Sequence, residues 1–119
     1  MHRFETLDIW HSSVSYGVGI YKVSKNFPRD EVYGLTSQIR RAAVSISSNI
    51  AEGSGSNSKK DFQRFLDIAV KSALETVSQL KFAIELGYIH KSQIEQLSQS
   101  AELLIKRIYA FRNSLNHKP

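Results

Sequence analysis

The chain lacks cysteine altogether, and its 119 residues include only two prolines, one tryptophan and one methionine. Without cysteine, the protein has no disulfide, thiolate nucleophile or cysteine-ligated metal site. It also lacks any run of about 18 apolar residues, so we expect no membrane-spanning helix. No long apolar stretch follows the first basic residues, so we expect no secretion signal and a cytoplasmic location.

Positive charge exceeds negative charge, and the excess is uneven along the chain. The formal net charge is +5 and the isoelectric point is near 9.6. Residues 1–53 contain 6 basic and 5 acidic residues, whereas residues 54–119 contain 10 and 6. A basic balance favours anionic partners, most often nucleic acid, although cations also suit the last turn of a solvated helix. The candidate nucleic-acid contacts are Lys59, Lys60, Arg64, Lys106, Arg107 and Arg112.

Apolar residues recur every three or four positions through four segments, which predicts four helices. We expect these helices at about residues 7–26, 29–52, 59–86 and 92–115. Pro28 is expected to start the second helix, and Gly53 and Gly87 are expected to end the second and third. Short joints place consecutive helices antiparallel. The predicted fold is therefore an all-α, up-down-up-down four-helix bundle, with residues 1–119 forming one domain.

The first helix has two apolar stripes, although a monomeric bundle requires only one. We expect one stripe to face the bundle core: Leu7, Trp10, Val14, Gly17, Val18 and Tyr21. The second stripe contains Ile9, Ser13, Tyr16, Ile20 and Val23. The third helix also has a second apolar flank, and Phe82 lies nearly opposite its core stripe. The candidate apolar residues of an oligomer interface are Ile9, Tyr16, Ile20, Val23, Phe65, Ile68, Phe82 and Leu86.

The second helix has two adjacent arginines in its middle, Arg40 and Arg41, on opposite flanks of its apolar face. They could contact phosphate, or they could pair with carboxylates such as Glu52 or Glu75 within or between subunits. We favour pairing, because the rigid guanidinium suits ion pairs at interfaces. The candidate polar interface residues are Arg40, Arg41, Asn49, Glu52 and Glu75.

Nothing in the chain predicts catalysis, a metal site or a cofactor. Asp8 and His11 have the spacing of half a di-iron motif, but the second half is missing. The glycine-rich segment at residues 53–60 is preceded by a helix, and no glycine directly precedes Lys59, unlike a nucleotide-binding P-loop. This segment could bind a backbone phosphate, or it could be a flexible solvated loop without a ligand. The sequence favours neither alternative. We therefore expect a protein that is not an enzyme.

Residues 33–55, YGLTSQIRRAAVSISSNIAEGSG, are preceded by Phe27-Pro28 and followed by Phe62, Phe65 and Leu66. This pattern resembles the small bacterial four-helix bundle family encoded in intervening sequences of 23S ribosomal RNA genes, and the resemblance runs from residue 7 to about residue 111. It implies a bundle that assembles as a cyclic homo-oligomer, a ring of five. A related group, the accessory variability proteins of diversity-generating retroelements, binds nucleic acid and a reverse transcriptase.

Two hypotheses follow from the residues and the resemblance together. The first is a non-enzymatic homopentameric bundle that binds RNA or DNA through its basic surface. The alternative is a protein-interaction scaffold whose additional apolar stripes contact a nucleic-acid enzyme such as a reverse transcriptase. Neither hypothesis involves a membrane.

Overall fold

Four α-helices account for most of residues 1–116, the part of the chain that the computed structural model describes. They are α1 at Asp8–Ser24, α2 at Leu35–Ser54, α3 at Lys59–Glu85 and α4 at Glu95–Ser114. Short 3-10 turns precede three of them, at Arg3–Thr6, Arg29–Glu31 and Lys91–Ile94. No strand occurs in residues 1–116, and the helices form a rod of 50 × 24 × 22 Å. The predicted all-α four-helix bundle is confirmed.

Contacts between the helices show that consecutive helices are antiparallel. Arg40, near the start of α2, hydrogen-bonds to Ser24 at the end of α1, and Gly53, near the end of α2, lies against Phe62 near the start of α3. Near the end of α4, Arg112 binds Asp67, which lies near the start of α3. The fourth helix also packs against α1, which closes the bundle.

The core is continuous and contains branched aliphatic side chains from all four helices. Its fully buried members include Ile20, Ile39, Ile46, Ile50, Leu66, Leu80, Leu104 and Ile108. Full burial of each such side chain stabilises the fold by about 1.5–3 kcal/mol. The predicted apolar faces of α2, α3 and α4 all contribute to this core.

The first helix is rotated relative to our expectation. Its predicted interface residues Ile9, Tyr16, Ile20 and Val23 are buried in the core of the chain itself, so their assignment to an oligomer interface was wrong. Part of the stripe that we expected to face the core is exposed instead, at Val14, Val18 and Tyr21.

A hydrogen bond between α1 and α3 forms on the side of α1 that this rotation buries. The Tyr16 hydroxyl lies 2.7 Å from Thr76 Oγ1 in the centre of the bundle. This contact satisfies the polar end of a buried tyrosine, which the sequence of α1 alone could not reveal.

The second helix starts six residues later than predicted, at Leu35. Arg29–Glu31 forms a 3-10 turn, and the chain bends at Gly34 before the helix begins. The Glu31 carboxylate accepts a hydrogen bond from the Leu35 N–H at 3.0 Å and so caps the helix. A carboxylate in this place also interacts favourably with the positive end of the helix dipole.

Two glycines that we expected to end helices have different roles. Gly87 has φ +79°, and the N–H groups of Gly87 and Tyr88 bind the carbonyls of Ile84 and Ala83, which is a Schellman motif. Gly53, in contrast, lies within α2, because the helix continues to Ser54. A Cβ at Gly53 would lie 2.7 Å from Phe62 Cδ1, so glycine here permits α3 to approach α2 closely.

Candidate nucleic-acid interface

The surface between α1 and α2 carries four cations and an exposed apolar stripe. We call it the α1–α2 face and define it by the side chains that line two neighbouring grooves of about 530 and 490 Å³. Its apolar members are Val14, Val18, Tyr21, Val32 and Val44, and its cations are Lys22, Lys25, Arg40 and Arg41. No aspartate or glutamate lines either groove. The side chains that line the two grooves therefore carry positive charge only.

Small residues bring the two helices together beneath this face. An added Cβ at Gly17 would lie 3.9 Å from Ala43 Cβ, an ordinary van der Waals distance, so the two helices approach each other to within the space of one methyl group there. Larger side chains on both sides of this contact, Val14 and Val18 on α1 and Val44 on α2, form the walls of a shallow depression.

Arg40 is held in a fixed position by α1. Its Nε donates to Ser24 Oγ at 2.9 Å, and its Nη2 donates to the Tyr21 carbonyl oxygen at 3.2 Å. The guanidinium also lies over the Tyr21 ring, 4.6 Å from the centroid. A cation at the end of a helix interacts favourably with the helix dipole. Within residues 1–116 Arg40 thus binds backbone and hydroxyl oxygens and makes no ion pair with Glu52 or Glu75 of the same chain. Pairing between subunits stays a prediction.

Arg41, the neighbouring residue, is exposed. The two ion pairs found within residues 1–116 are Arg64–Asp61 and Arg112–Asp67, so Arg41 takes part in neither. It lines the larger groove together with several hydroxyl side chains: Thr36, Ser37, Ser45 and Ser48. An exposed guanidinium beside hydroxyl donors is a suitable arrangement for binding phosphate oxygens.

Lys22 and Lys25 were missed by the sequence analysis. They follow Val14, Val18 and Tyr21 on the same side of α1, at intervals of three and four residues. The sequence analysis assigned the stripe with Val14, Val18 and Tyr21 to the core. The two lysines at the end of this stripe were the signal that it faces solvent instead. The charge balance of residues 1–53 also gave no sign of these lysines, because the acidic residues in the same count offset them. The fold places those acidic residues outside the two grooves.

Three predicted nucleic-acid contacts do come together, at the other end of the bundle. Lys60, Arg64 and Arg112 line a groove of about 700 Å³, but Asp61 and Asp67 line it too. Arg64 binds Asp61 at 3.2 Å and Arg112 binds Asp67 at 2.6 Å, and the latter contact raises the pKa of the Arg112 guanidinium. The carboxylates offset much of the positive charge in this groove.

The remaining three predicted contacts do not join this cluster. Lys59 is exposed in the first turn of α3. Arg107 lines a groove between α4 and α1 that includes His11. Lys106 precedes it on the exposed surface of α4. The six predicted residues therefore form several separate sites rather than one basic patch.

The polar candidates of α2 and α3 have different environments. Asn49 Nδ2 donates to the Ser45 carbonyl at 2.8 Å and to Ser45 Oγ at 3.0 Å. Ser45 Oγ in turn lies 2.9 Å from Ser72 Oγ on α3, so Asn49 supports a polar contact between two helices. Glu52 and Glu75 are exposed and belong to neither ion pair of residues 1–116.

The remaining apolar candidates lie on α3. Phe65 and Ile68 are half-buried, and the Arg64 guanidinium covers the Phe65 ring at 4.5 Å from its centroid. Phe82 and Leu86 are 60% and 45% exposed. These two large side chains, near the end of α3, form an apolar surface that the chain itself does not cover.

Neither a candidate metal-binding cluster nor a candidate membrane span occurs in residues 1–116. No three histidine, aspartate or glutamate side chains come close enough together there to hold a metal ion. None of the helices in this part of the chain combines the length and the apolar character needed to span a membrane.

Comparison with known proteins places this fold in a family. The model of the 23S rRNA-intervening sequence protein family matches residues 5–110. A crystal structure from Bacteroides thetaiotaomicron, described as a protein of unknown function from the S23 ribosomal protein family, is similar with a TM-score of 0.79 and 28% identity. The similarity covers 87% of this chain and 97% of that one. No curated protein matches the chain. The chain belongs to the 23S rRNA-intervening sequence protein family.

Proposed function

We propose that this protein is a non-enzymatic, homo-oligomeric helical bundle that binds RNA or DNA through the α1–α2 face. The observation that carries the proposal is the composition of that face. Four cations line its two grooves and no carboxylate does, whereas the other cluster of predicted contacts includes two aspartates. Phosphate contacts supply most of the affinity of proteins that bind nucleic acid without strong sequence preference.

The relatives support the same proposal. The family takes its name from sequences that interrupt 23S rRNA genes, and the Bacteroides protein is assigned to a ribosomal protein family. The net charge of +5 agrees with an anionic partner. This chain therefore has both a family link to ribosomal RNA genes and a surface suited to phosphate.

Self-association is the second part of the proposal. Phe82 and Leu86 leave exposed apolar side chains near the end of α3, and exposed apolar patches are typical of protein interfaces. A ring of five would use one such patch against a different surface of the next subunit, with closed cyclic symmetry. It would also carry about +25 in formal charge and present five copies of the α1–α2 face, which strengthens binding by multivalency.

The binding part is tested by fluorescence anisotropy with labelled RNA at about 50 and 200 mM salt. We expect binding at the lower salt and a steep loss at the higher salt, because phosphate contacts release counterions. Arg41→Ala should weaken binding several-fold. Arg64→Ala is the matched control, since it removes the same charge from a residue that Asp61 already compensates at 3.2 Å.

Three results would contradict this part of the proposal. One is the absence of binding at low salt, and another is binding that ignores salt. The third is a larger loss for Arg64→Ala than for Arg41→Ala, which would move the contact to the groove between α3 and α4. A chain that is monomeric in solution and binds an apolar dye would favour the alternative, a scaffold for another protein.

A further inference from the structure

The larger groove of the α1–α2 face combines features that a contact with phosphate alone would not use. Its volume is about 530 Å³, and Tyr21, Val32 and Val44 give it apolar walls. A nucleic-acid duplex keeps its bases stacked inside and presents phosphates outside, so it would reach the cations and leave these walls uncovered. An unpaired base has an exposed apolar face that could fill the groove.

We propose that this groove selects single-stranded nucleic acid, with an unpaired base against Tyr21 and the adjoining phosphate on Arg41. This inference rests on the proposed function and specifies its substrate class. Proteins that bind single strands typically combine a positively charged groove with aromatic side chains on which bases stack. The groove provides both, together with the hydroxyl groups of Thr36 and Ser48.

Tyr21 is prepared for this role by its contact with Arg40. The guanidinium lies 4.6 Å from the ring centroid and is itself fixed by hydrogen bonds to Ser24 Oγ and the Tyr21 carbonyl. Tyr21 is nevertheless 40% exposed as a residue, although Arg40 covers one face of its ring. A platform that is ordered before binding loses little conformational entropy when a base stacks on it. Arg40 also adds positive charge beside the stacked base.

A second exposed aromatic residue is the sequence neighbour of Val32, which lines the groove. Tyr33 follows Val32 in the turn before α2 and is 95% exposed. Nearly complete exposure of a tyrosine ring leaves both of its faces open for stacking. A strand that places one base in the groove could stack its neighbour on Tyr33, which extends the contact along the strand.

The test compares two probes with the full-length protein. They are a fluorescein-labelled oligouridylate of about 20 nucleotides and an RNA duplex of the same length, both at low salt. We expect the single strand to bind about tenfold more tightly or better, because only it reaches the apolar walls. Equal or tighter binding of the duplex would overturn the inference and leave the proposed function intact. Failure of both probes to bind would remove the proposed function as well.

Tyr21→Ala tests the base contact directly. Both hydrogen bonds of Arg40 survive this change, because they use the Tyr21 backbone and Ser24. We expect about fivefold weaker binding of the single strand or worse, with the duplex unaffected. Tyr109→Ala is the matched control, since Tyr109 is 45% exposed on α4 and lies outside the groove.

Two results with this variant would overturn the inference. One is single-strand binding that Tyr21→Ala leaves unchanged or weakens no more than Tyr109→Ala does. The other is a change in solution mass on Tyr21→Ala, because the groove would then be a contact between subunits.

Discussion

The Tyr88 hydroxyl donates a 2.7 Å hydrogen bond to Glu31 Oε2, which joins the turn before α2 to the turn after α3. The other carboxylate oxygen of Glu31 caps the Leu35 N–H. One side chain thus connects two joints at the same end of the bundle. Both hydrogen bonds lower the pKa of Glu31 from its ordinary value of 4.5, and the contact raises the pKa of Tyr88.

The lowered pKa of Glu31 predicts an acid-dependent loss of stability. The carboxylate contributes stability that is present above its unfolded pKa near 4.5 and is lost as the pH falls through the lower folded pKa. Glu31→Gln removes the titrating group, so we expect a smaller fall in melting temperature between neutral and acidic pH. Thermal unfolding followed by circular dichroism measures this. Glu75→Gln is the control, and equal pH profiles for wild type and Glu31→Gln would contradict the prediction.

The buried Tyr16–Thr76 contact predicts two unequal losses of stability. Thr76 Oγ1 donates to the Ala73 carbonyl at 2.6 Å, so the proton between the two hydroxyls belongs to Tyr16. Tyr16→Phe removes this donor and should cost about 0.5–1.5 kcal/mol. Thr76→Val leaves the Tyr16 hydroxyl buried without its acceptor and should cost more, about 1–3 kcal/mol. Urea denaturation tests the order, and a larger loss for Tyr16→Phe would refute it.

Two glycines in helices predict changes of opposite sign. Gly53→Ala would place a methyl group 2.7 Å from Phe62 Cδ1 and 2.8 Å from Phe65 Cβ, which should cost about 1–3 kcal/mol through overpacking. Gly17→Ala would meet Ala43 at an ordinary 3.9 Å. It should stabilise the protein by up to about 1 kcal/mol, because alanine is the better helix former. Denaturant titrations measure the free energy of unfolding of both variants. A destabilised Gly17→Ala together with an unchanged Gly53→Ala would contradict this description of the packing.

The exposed surface of Phe82 predicts the effect of a charge on assembly. Phe82→Asp should convert the proposed ring to monomers, because an interface cannot bury an unpaired carboxylate without a large desolvation penalty. Size-exclusion chromatography with light scattering should give about 67 kDa for five wild-type subunits and 13.5 kDa for the variant. Leu103→Asp, on a side chain that is 49% exposed on α4, should retain the wild-type mass. A wild-type monomer would end the ring proposal.

The helices themselves were largely predictable from the sequence. The regular spacing of apolar residues located α3 closely, and the Ser58 hydroxyl caps its start by accepting a hydrogen bond from the Asp61 N–H. The start of α2 was not predictable in the same way. Its cap is formed by Glu31, four residues before Leu35, and the same carboxylate is also bound by Tyr88, 57 positions away.

The rotation of α1 was decided by partners that are distant in sequence. Both stripes of α1 are apolar, but the one that includes Ser13 and Tyr16 contains more hydroxyl groups. The sequence therefore offered no reason to place that stripe in the core. Tyr16 is nonetheless buried, because Thr76 lies where it can accept the hydroxyl proton. The opposite stripe then faces solvent and brings Lys22 and Lys25 to the α1–α2 face, whose neighbouring groove contains Arg41. The charge count along the chain had placed the candidate site elsewhere.

The amino-acid sequence by itself determined the number of helices, their approximate limits, the small-residue face of α2 and the net positive charge. These properties follow from local spacing and composition, which each segment carries independently of its neighbours. Only the tertiary structure decided which side of α1 is buried, which cations have carboxylate partners and where Arg40 is held. Those properties depend on contacts between residues far apart along the chain, and a hydrogen bond or ion pair exists only when both partners reach the same place.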